Sequence, residues 1–268
     1  MLRKPVVSGQ FYPSDPGELA GLINELAPGG FPKRVARAIV LPHAGYRYSA
    51  RVALATLARV LPKKRIIIVG PKHTDLGCDF SLVKEGAWEI PFGQIPIDEE
   101  LAASIMTNAT LIREDTRAHE REHSIEVQLP LIHHCFGSFT FVPIACQRAS
   151  IKTYQAVAAE IYEGIKTLPD EVLLVASSDM THYEPEARAR AQDRLALEYI
   201  VKLDAEGLVG CVRRENISMC GVAPVAIVIE CAKRIGARKA NIALYQTSGD
   251  SSGDYNSVVG YAGIVMSS

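Results

Sequence analysis

The chain has 268 residues, 48% of them hydrophobic, enough for one large core. Its 29 Lys and Arg are matched by 30 Asp and Glu, so there is no basic surplus to neutralise a phosphate backbone, which argues against nucleic acid as a partner. Six cysteines (Cys78, Cys135, Cys146, Cys211, Cys220, Cys231) lack CxxC spacing, against both a zinc ribbon and a disulfide scaffold. Met1 to Pro5 is followed by Val6-Val7-Ser8-Gly9-Gln10 rather than an apolar run. The longest greasy stretch, Cys220 to Ala232, is too short to span a bilayer. The expectation is a cytoplasmic protein with no membrane segment.

Helical patterns alternate with short β-branched runs, the signature of an α/β fold. We read a single domain over 1–268, with a mainly parallel, mixed central sheet flanked by helices. The first helix is predicted after Asp15 as cap, with Pro16 in its first turn, running to about Leu26. A strand over 37–41 and a helix from about Ser49 to Val60 follow, then a strand over 65–70. Between Phe80 and Ile97, Ser81-Leu82-Val83 and Trp88-Glu89-Ile90 read as pieces of an extended hairpin or flap, broken by Gly86, Pro91, Gly93 and Pro96.

Asp98 caps the next predicted helix, with Glu99 and Glu100 in its first turn. A charged run, Arg113 to Glu122, precedes a helix from about Ser124 to Cys135. Then come a strand over 139–145, a helix over 151–166, a strand over 171–176 and a long helix from about Pro185 to Lys202. A helix from Cys220 to Ile235 and two strands, 243–246 and 258–266, flanking the glycine-rich loop Ser248 to Gly253, complete the series.

Three of these strands run into polar loops that carry a histidine: His43, His73 and His182. The carboxyl ends of parallel strands meet at one sheet edge, where ligands bind. Neutral imidazole is the commonest metal ligand, so His43 and His73 point to a metal site. Each could equally hydrogen-bond its own loop. Asp179 and His182 share a loop, so the carboxylate could orient the imidazole, or the pair could move a proton; a helix cap with a surface histidine is the plainer reading.

Cys220 precedes Gly221 and a helix, a position that favours thiolate, though alone it reads as a buried thiol. With two imidazoles it makes a three-ligand site with open positions, suited to iron, copper or zinc. In Glu122-His123-Ser124-Ile125-Glu126, at a predicted helix start, His123 and Glu126 could point at one cavity, or form a capping segment. His119 is assigned to the solvated run Arg117 to Arg121, and His133 and His134 to the end of a helix. The loop Ser248 to Gly253 lacks the lysine and spacing of a P-loop and reads as a turn.

The motifs Leu41-Pro42-His43-Ala44-Gly45-Tyr46, Gly70-Pro71-Lys72-His73, Glu122-His123-Ser124-Ile125-Glu126-Val127-Gln128-Leu129-Pro130, Ser177-Ser178-Asp179-Met180-Thr181-His182 and Cys220-Gly221 resemble the Memo family. They occur in family order, and the similarity runs from Gly9-Gln10-Phe11-Tyr12 to Gly260-Tyr261-Ala262. The resemblance implies an α/β domain similar to the catalytic subunit of class III extradiol dioxygenases, which hold Fe(II) with two histidines and a glutamate. Carried over by motif, His43 and His73 match the histidine ligands, Cys220 falls where the dioxygenases have their glutamate, and His182 matches their acid/base histidine. His123 and Asp179 would line the same pocket. A thiolate in place of a carboxylate shifts preference toward copper or zinc and makes the site oxidisable.

The resulting expectation is a metal-binding protein with a His43, His73 and Cys220 site for Fe(II) or copper, with zinc as the other candidate. Its activity would be that of a dioxygenase-like oxidoreductase, with His182, Asp179 and His123 handling protons and substrate. One alternative is a non-catalytic module whose pocket takes a phosphorylated or anionic peptide. Another is a zinc hydrolase. The ligand is a small molecule or a peptide, and the resemblance adds AMMECR1-like and radical SAM proteins, the AmmeMemoRadiSam group, as partners.

Overall fold

The structure, a computed structural model, describes residues 1–268. Four parallel strands form the centre of a nine-stranded mixed sheet, in the order Ala38–Leu41, Val172–Ser177, Arg65–Pro71, Thr140–Cys146. Antiparallel strands flank them: Val258–Ser267 beside Ala38–Leu41 and Phe80–Leu82 beside Thr140–Cys146. The sequence therefore reads as a mainly parallel, mixed sheet because its central strands are near-continuous apolar runs, broken only at their ends by residues such as Arg65 and Ser177, as expected where both faces are covered.

The period-two geometry of a strand divides these residues between two cores. Val40, Ile67, Val69, Val142, Ile144 and Leu174 face one core, completed by the helices Ile151–Ile165 and Val222–Arg234. Ile39, Leu41, Ile66, Ile68, Phe141 and Val175 face the other, covered by the helices Pro16–Leu26, Tyr46–Leu57 and Gln128–Phe136. Each of these side chains is essentially unexposed, and burying one contributes about 1.5–3 kcal/mol. No helix is long and apolar enough to cross a membrane.

Asp15 accepts from the Glu18 amide and Asp98 from the Leu101 amide, so both predicted caps form. Several expectations are corrected. Ser81 and Leu82 belong to Phe80–Leu82, which pairs with the main sheet; only Ala87–Ile90 and Gly93–Pro96 form a hairpin, joined by Leu2–Arg3. The helix expected from Ser49 starts at Tyr46, and the one expected from Ser124 starts at Gln128 after a run of turns. A helix over Ala205–Arg214 was not anticipated; Asp204 caps it by accepting from the Gly207 amide. Part of the glycine-rich loop is a short helix, Gly249–Ser252.

Candidate functional site: a cluster of imidazoles at the carboxyl edge of the sheet

The four parallel strands all end at one edge, and each delivers polar residues there: His43 after Leu41, His73 after Pro71, Arg148 after Cys146, and Asp179 and His182 after Ser177. They line a cavity of about 580 Å³ with Cys220 and His123. Phe11, Tyr183 and Tyr261 supply aromatic wall. The ligand atoms of His43, His73 and His123 lie within 4.8 Å of one another, a spacing that could hold a metal ion.

Two glycines permit this convergence. A Cβ on Gly70 would lie 2.6 Å from Ser124 Oγ and 2.7 Å from Ile125 Cγ1, so only glycine lets the strand end meet the loop that carries His123. A Cβ on Gly221 would lie 2.5 Å from the Ser177 carbonyl oxygen and 2.4 Å from Ser178 Cβ. That contact presses the start of the Val222–Arg234 helix, and with it Cys220, onto the loop of Asp179. Gly221→Ala is expected to cost about 1–3 kcal/mol through overpacking, read by urea denaturation; an unchanged midpoint would show that the loop yields freely.

Hydrogen bonding fixes the tautomers. Ser177 Oγ donates its one proton to the Ser124 carbonyl at 2.6 Å and accepts from Gln128 Nε2 at 2.9 Å. His43 Nδ1, 2.9 Å away, must therefore be a donor to Ser177 Oγ. That leaves the Nε2 lone pair of neutral His43 facing Cys220 Sγ at 3.2 Å, where the thiol donates to it. His73 Nδ1 donates to Glu122 Oε1 at 2.9 Å and His182 Nδ1 donates to the Met180 carbonyl at 2.8 Å. In each neutral ring Nε2 is the free acceptor.

Glu122 is the organising carboxylate. It is 1% exposed and accepts from the His73, His123 and Ser124 amides as well as from the His73 ring. Burial pushes its pKa up, but the hydrogen bond and charge of His73 prevail and hold it at about 2. Burial pushes His73 down, and Glu122 more than reverses this, leaving it above the ordinary histidine value. His43 is held well below that value by burial and then by His123 and His73. Asp179 is raised to about 7 by burial, against the amides of His43 and Ala44 that donate to it. Burial, and then the Asp179 carboxylate, likewise push the Cys220 thiol up, against the expected thiolate.

The structure brings His43, His73, His123, Asp179, His182 and Cys220 to one cavity. It does not join Asp179 to His182: the Asp179 carboxylate accepts from the His43 amide at 2.8 Å, while His182 is oriented by Met180 and by Ser218 Oγ, which accepts from its amide at 2.7 Å. Glu126 points away from the cavity, to Arg3. His119, expected in solvent, is 1% exposed, with Nε2 donating to the Ser81 carbonyl. Sequence reasoning also missed Arg148, which lines the cavity, donates through its guanidinium to the Met219 carbonyl at 3.4 Å and has no carboxylate within 4.0 Å. The signal was available, since Arg148 follows the fourth parallel strand as closely as His73 follows the third.

The fold and this edge define an α/β protein with a partly buried imidazole cluster of metal-ligand type. The chain belongs to the Memo family: it matches the Memo-like protein family over residues 3–265. A MEMO1 family protein of Methanopyrus kandleri is 41% identical over 280 residues, covering 99% of both chains. One from Thermotoga neapolitana is 37% identical over 282 residues, covering 100% of both. Among solved structures, an uncharacterized protein from Escherichia coli K12 has a TM-score of 0.57 at 12% identity, covering 87% of this chain and 100% of that one, a likeness of fold alone.

Proposed function

We propose that this protein is a metal-dependent redox enzyme, related in site design to extradiol dioxygenases, with Fe(II) or copper held by His43, His73 and Cys220. One observation carries the reading. His43 and His73 are locked in the tautomer that frees Nε2, as imidazole ligands require, by partners that face away from the cavity. The Cys220 thiol, 3.2 Å from His43 Nε2, adds a soft donor. His123 is the other imidazole within reach. Its ring lies stacked on His73, with centroids 4.8 Å apart and planes at 17°, so an ion in the plane of one ring is poorly placed for the other. We therefore assign His123 to the substrate side.

The donors fit such an ion: neutral imidazoles whose free nitrogens converge, beside a thiol that would lose its proton on ligation. The bound metal would supply redox and Lewis-acid chemistry. His182 is kept neutral, its pKa lowered by burial, and Nε2 can take a proton from a substrate hydroxyl. Asp179, titrating near neutrality, is a second proton carrier on the same wall. Arg148, without an acidic partner, suits a substrate bearing a carboxylate or phosphate, with Phe11 and Tyr261 against its apolar part. The same arginine would serve a non-catalytic pocket for an anionic peptide, so turnover must be measured directly.

After anaerobic loading, wild-type protein is expected to retain close to one Fe(II) or Cu(I) per chain and His43→Ala essentially none. Cobalt substitution should give a thiolate charge-transfer band that Cys220→Ser abolishes. Equal metal retention by wild type and His43→Ala would sink the metal site. A band surviving in Cys220→Ser would remove Cys220 from the ligand set. Oxygen consumption with Zn(II) excluded and Fe(II) present separates the redox reading from a zinc hydrolase.

A further inference from the structure

Outside the imidazole cavity, the strand Lys239–Thr247 pairs with Val258–Ser267 along one side and with no strand along the other. It is nine residues long, carries one charge, Lys239, and its register slips between Ile242 and Leu244. Free edges of this length invite another strand, and proteins usually blunt them with charge or proline. This one is furnished on both faces instead. On one face Leu197, Val201, Ile242 and Tyr245 form an apolar groove of about 500 Å³. On the other, Phe31, Pro32, Ala243 and Val265 form one of about 310 Å³. Ile242, 43% exposed, borders both.

The rims are cationic. Arg190, Arg194 and Lys202 border the first groove with a single acid, Glu198, and Arg34 and Arg59 border the second. Arg190 is paired with Glu186 and Asp250. Arg59 lies over the Phe31 ring, 3.5 Å from its centroid, and neither it nor Arg34, Arg194 or Lys202 has a carboxylate within 4.0 Å. A second copy docked edge to edge would oppose these like charges. An extended acidic chain would match them.

We propose that the Lys239–Thr247 edge is a docking site for an extended, acidic segment of a partner protein. The segment adds a strand to the sheet, placing successive apolar side chains in the two grooves and flanking carboxylates against Arg34, Arg59, Arg194 and Lys202. Backbone pairing supplies affinity, and the grooves and rim select the sequence. The site is independent of the metal reading.

The test uses the full chain and two synthetic peptides in which pairs of valines alternate with pairs of glutamates or of lysines, so that both faces of the added strand carry both residue types, followed by fluorescence anisotropy and by amide hydrogen exchange. The glutamate peptide should bind, weaken with added salt and slow exchange of amides in 240–246; the lysine peptide should not bind. Arg194→Glu combined with Lys202→Glu should weaken binding at least tenfold, as should Ile242→Lys, which places a charge at the edge without touching the core. Failure of the glutamate peptide to bind at millimolar concentration, equal binding of both peptides, or binding without protection of 240–246 would overturn the proposal. Protection that instead rises with protein concentration alone would overturn it in favour of a second copy.

Discussion

Glu122→Ala is expected to destabilise the metal-free protein by about 3–5 kcal/mol and to weaken metal binding by about 10–100-fold. The carboxylate is buried and accepts four hydrogen bonds, three from amides and one from the His73 ring. Alanine leaves every one of those donors unpaired inside the protein, where each costs about 1–3 kcal/mol before relaxation or entering water offsets part of the sum. It also frees the His73 ring to flip its tautomer, which is the route to the affinity loss.

The pH dependence has a definite sign. The Glu122 pKa falls from 4.5 to about 2 on folding, so its contribution, about 3 kcal/mol, is fully present above pH 4.5 and is lost as pH drops toward 2. His73 is raised above 6.5, so its share is present below pH 6.5 and is lost as pH rises through its folded value. In wild type the pair should therefore contribute most between about pH 4.5 and 6.5, and the gap to Glu122→Ala should narrow on either side. Urea denaturation across pH, with competitive metal titration at pH 7, measures both effects. A variant within 1 kcal/mol of wild type with unchanged metal affinity would refute the role given to Glu122.

Glu126→Ala should cost a similar amount, about 3–5 kcal/mol, by a different route. Glu126 is fully buried and accepts from Arg3 Nη1 at 2.8 Å, the Val6 and Val7 amides at 2.9 and 3.0 Å, and the Tyr12 hydroxyl at 2.9 Å. Arg3 also donates to the carbonyls of His119 and Glu122 and lies over the Trp88 ring. Removing the carboxylate strands a buried guanidinium and releases residues 1–12, including Phe11, whose ring meets His123 edge-on. Amide exchange in the first twelve residues should quicken more than anywhere else. If Arg3→Ala and Glu126→Ala are each silent in denaturation, the ion pair is not what holds this segment.

The central strands were legible because their apolar runs are bounded by proline, glycine and helix caps, all of them local signals. His43, His73 and His182 were legible because they directly follow such strands, and Cys220 because it precedes a recognisable helix. What escaped depended on distant partners. His119 sits in a charged run, yet Ser81 and Trp88 enclose it. Glu126 looked like a cavity residue because nothing near it in sequence reveals that Arg3 lies opposite. The Asp179 and His182 pairing was inferred from proximity along the chain, whereas the loop turns the two side chains to different partners. The helix Ala205–Arg214 was overlooked between longer neighbours, although Asp204 was a readable cap.

His43 and Cys220, which touch, are 177 residues apart in sequence, and His43 and Asp179 are 136 apart. The parallel pairing of Ala38–Leu41 with Val172–Ser177 has the same long reach. Closing loops of that length before their contacts form makes folding slow, and no fragment ending before Cys220 contains every residue of the constellation. During synthesis the two early histidines leave the ribosome long before Cys220, so with the ligand set proposed above tight metal capture would have to wait for the last quarter of the chain.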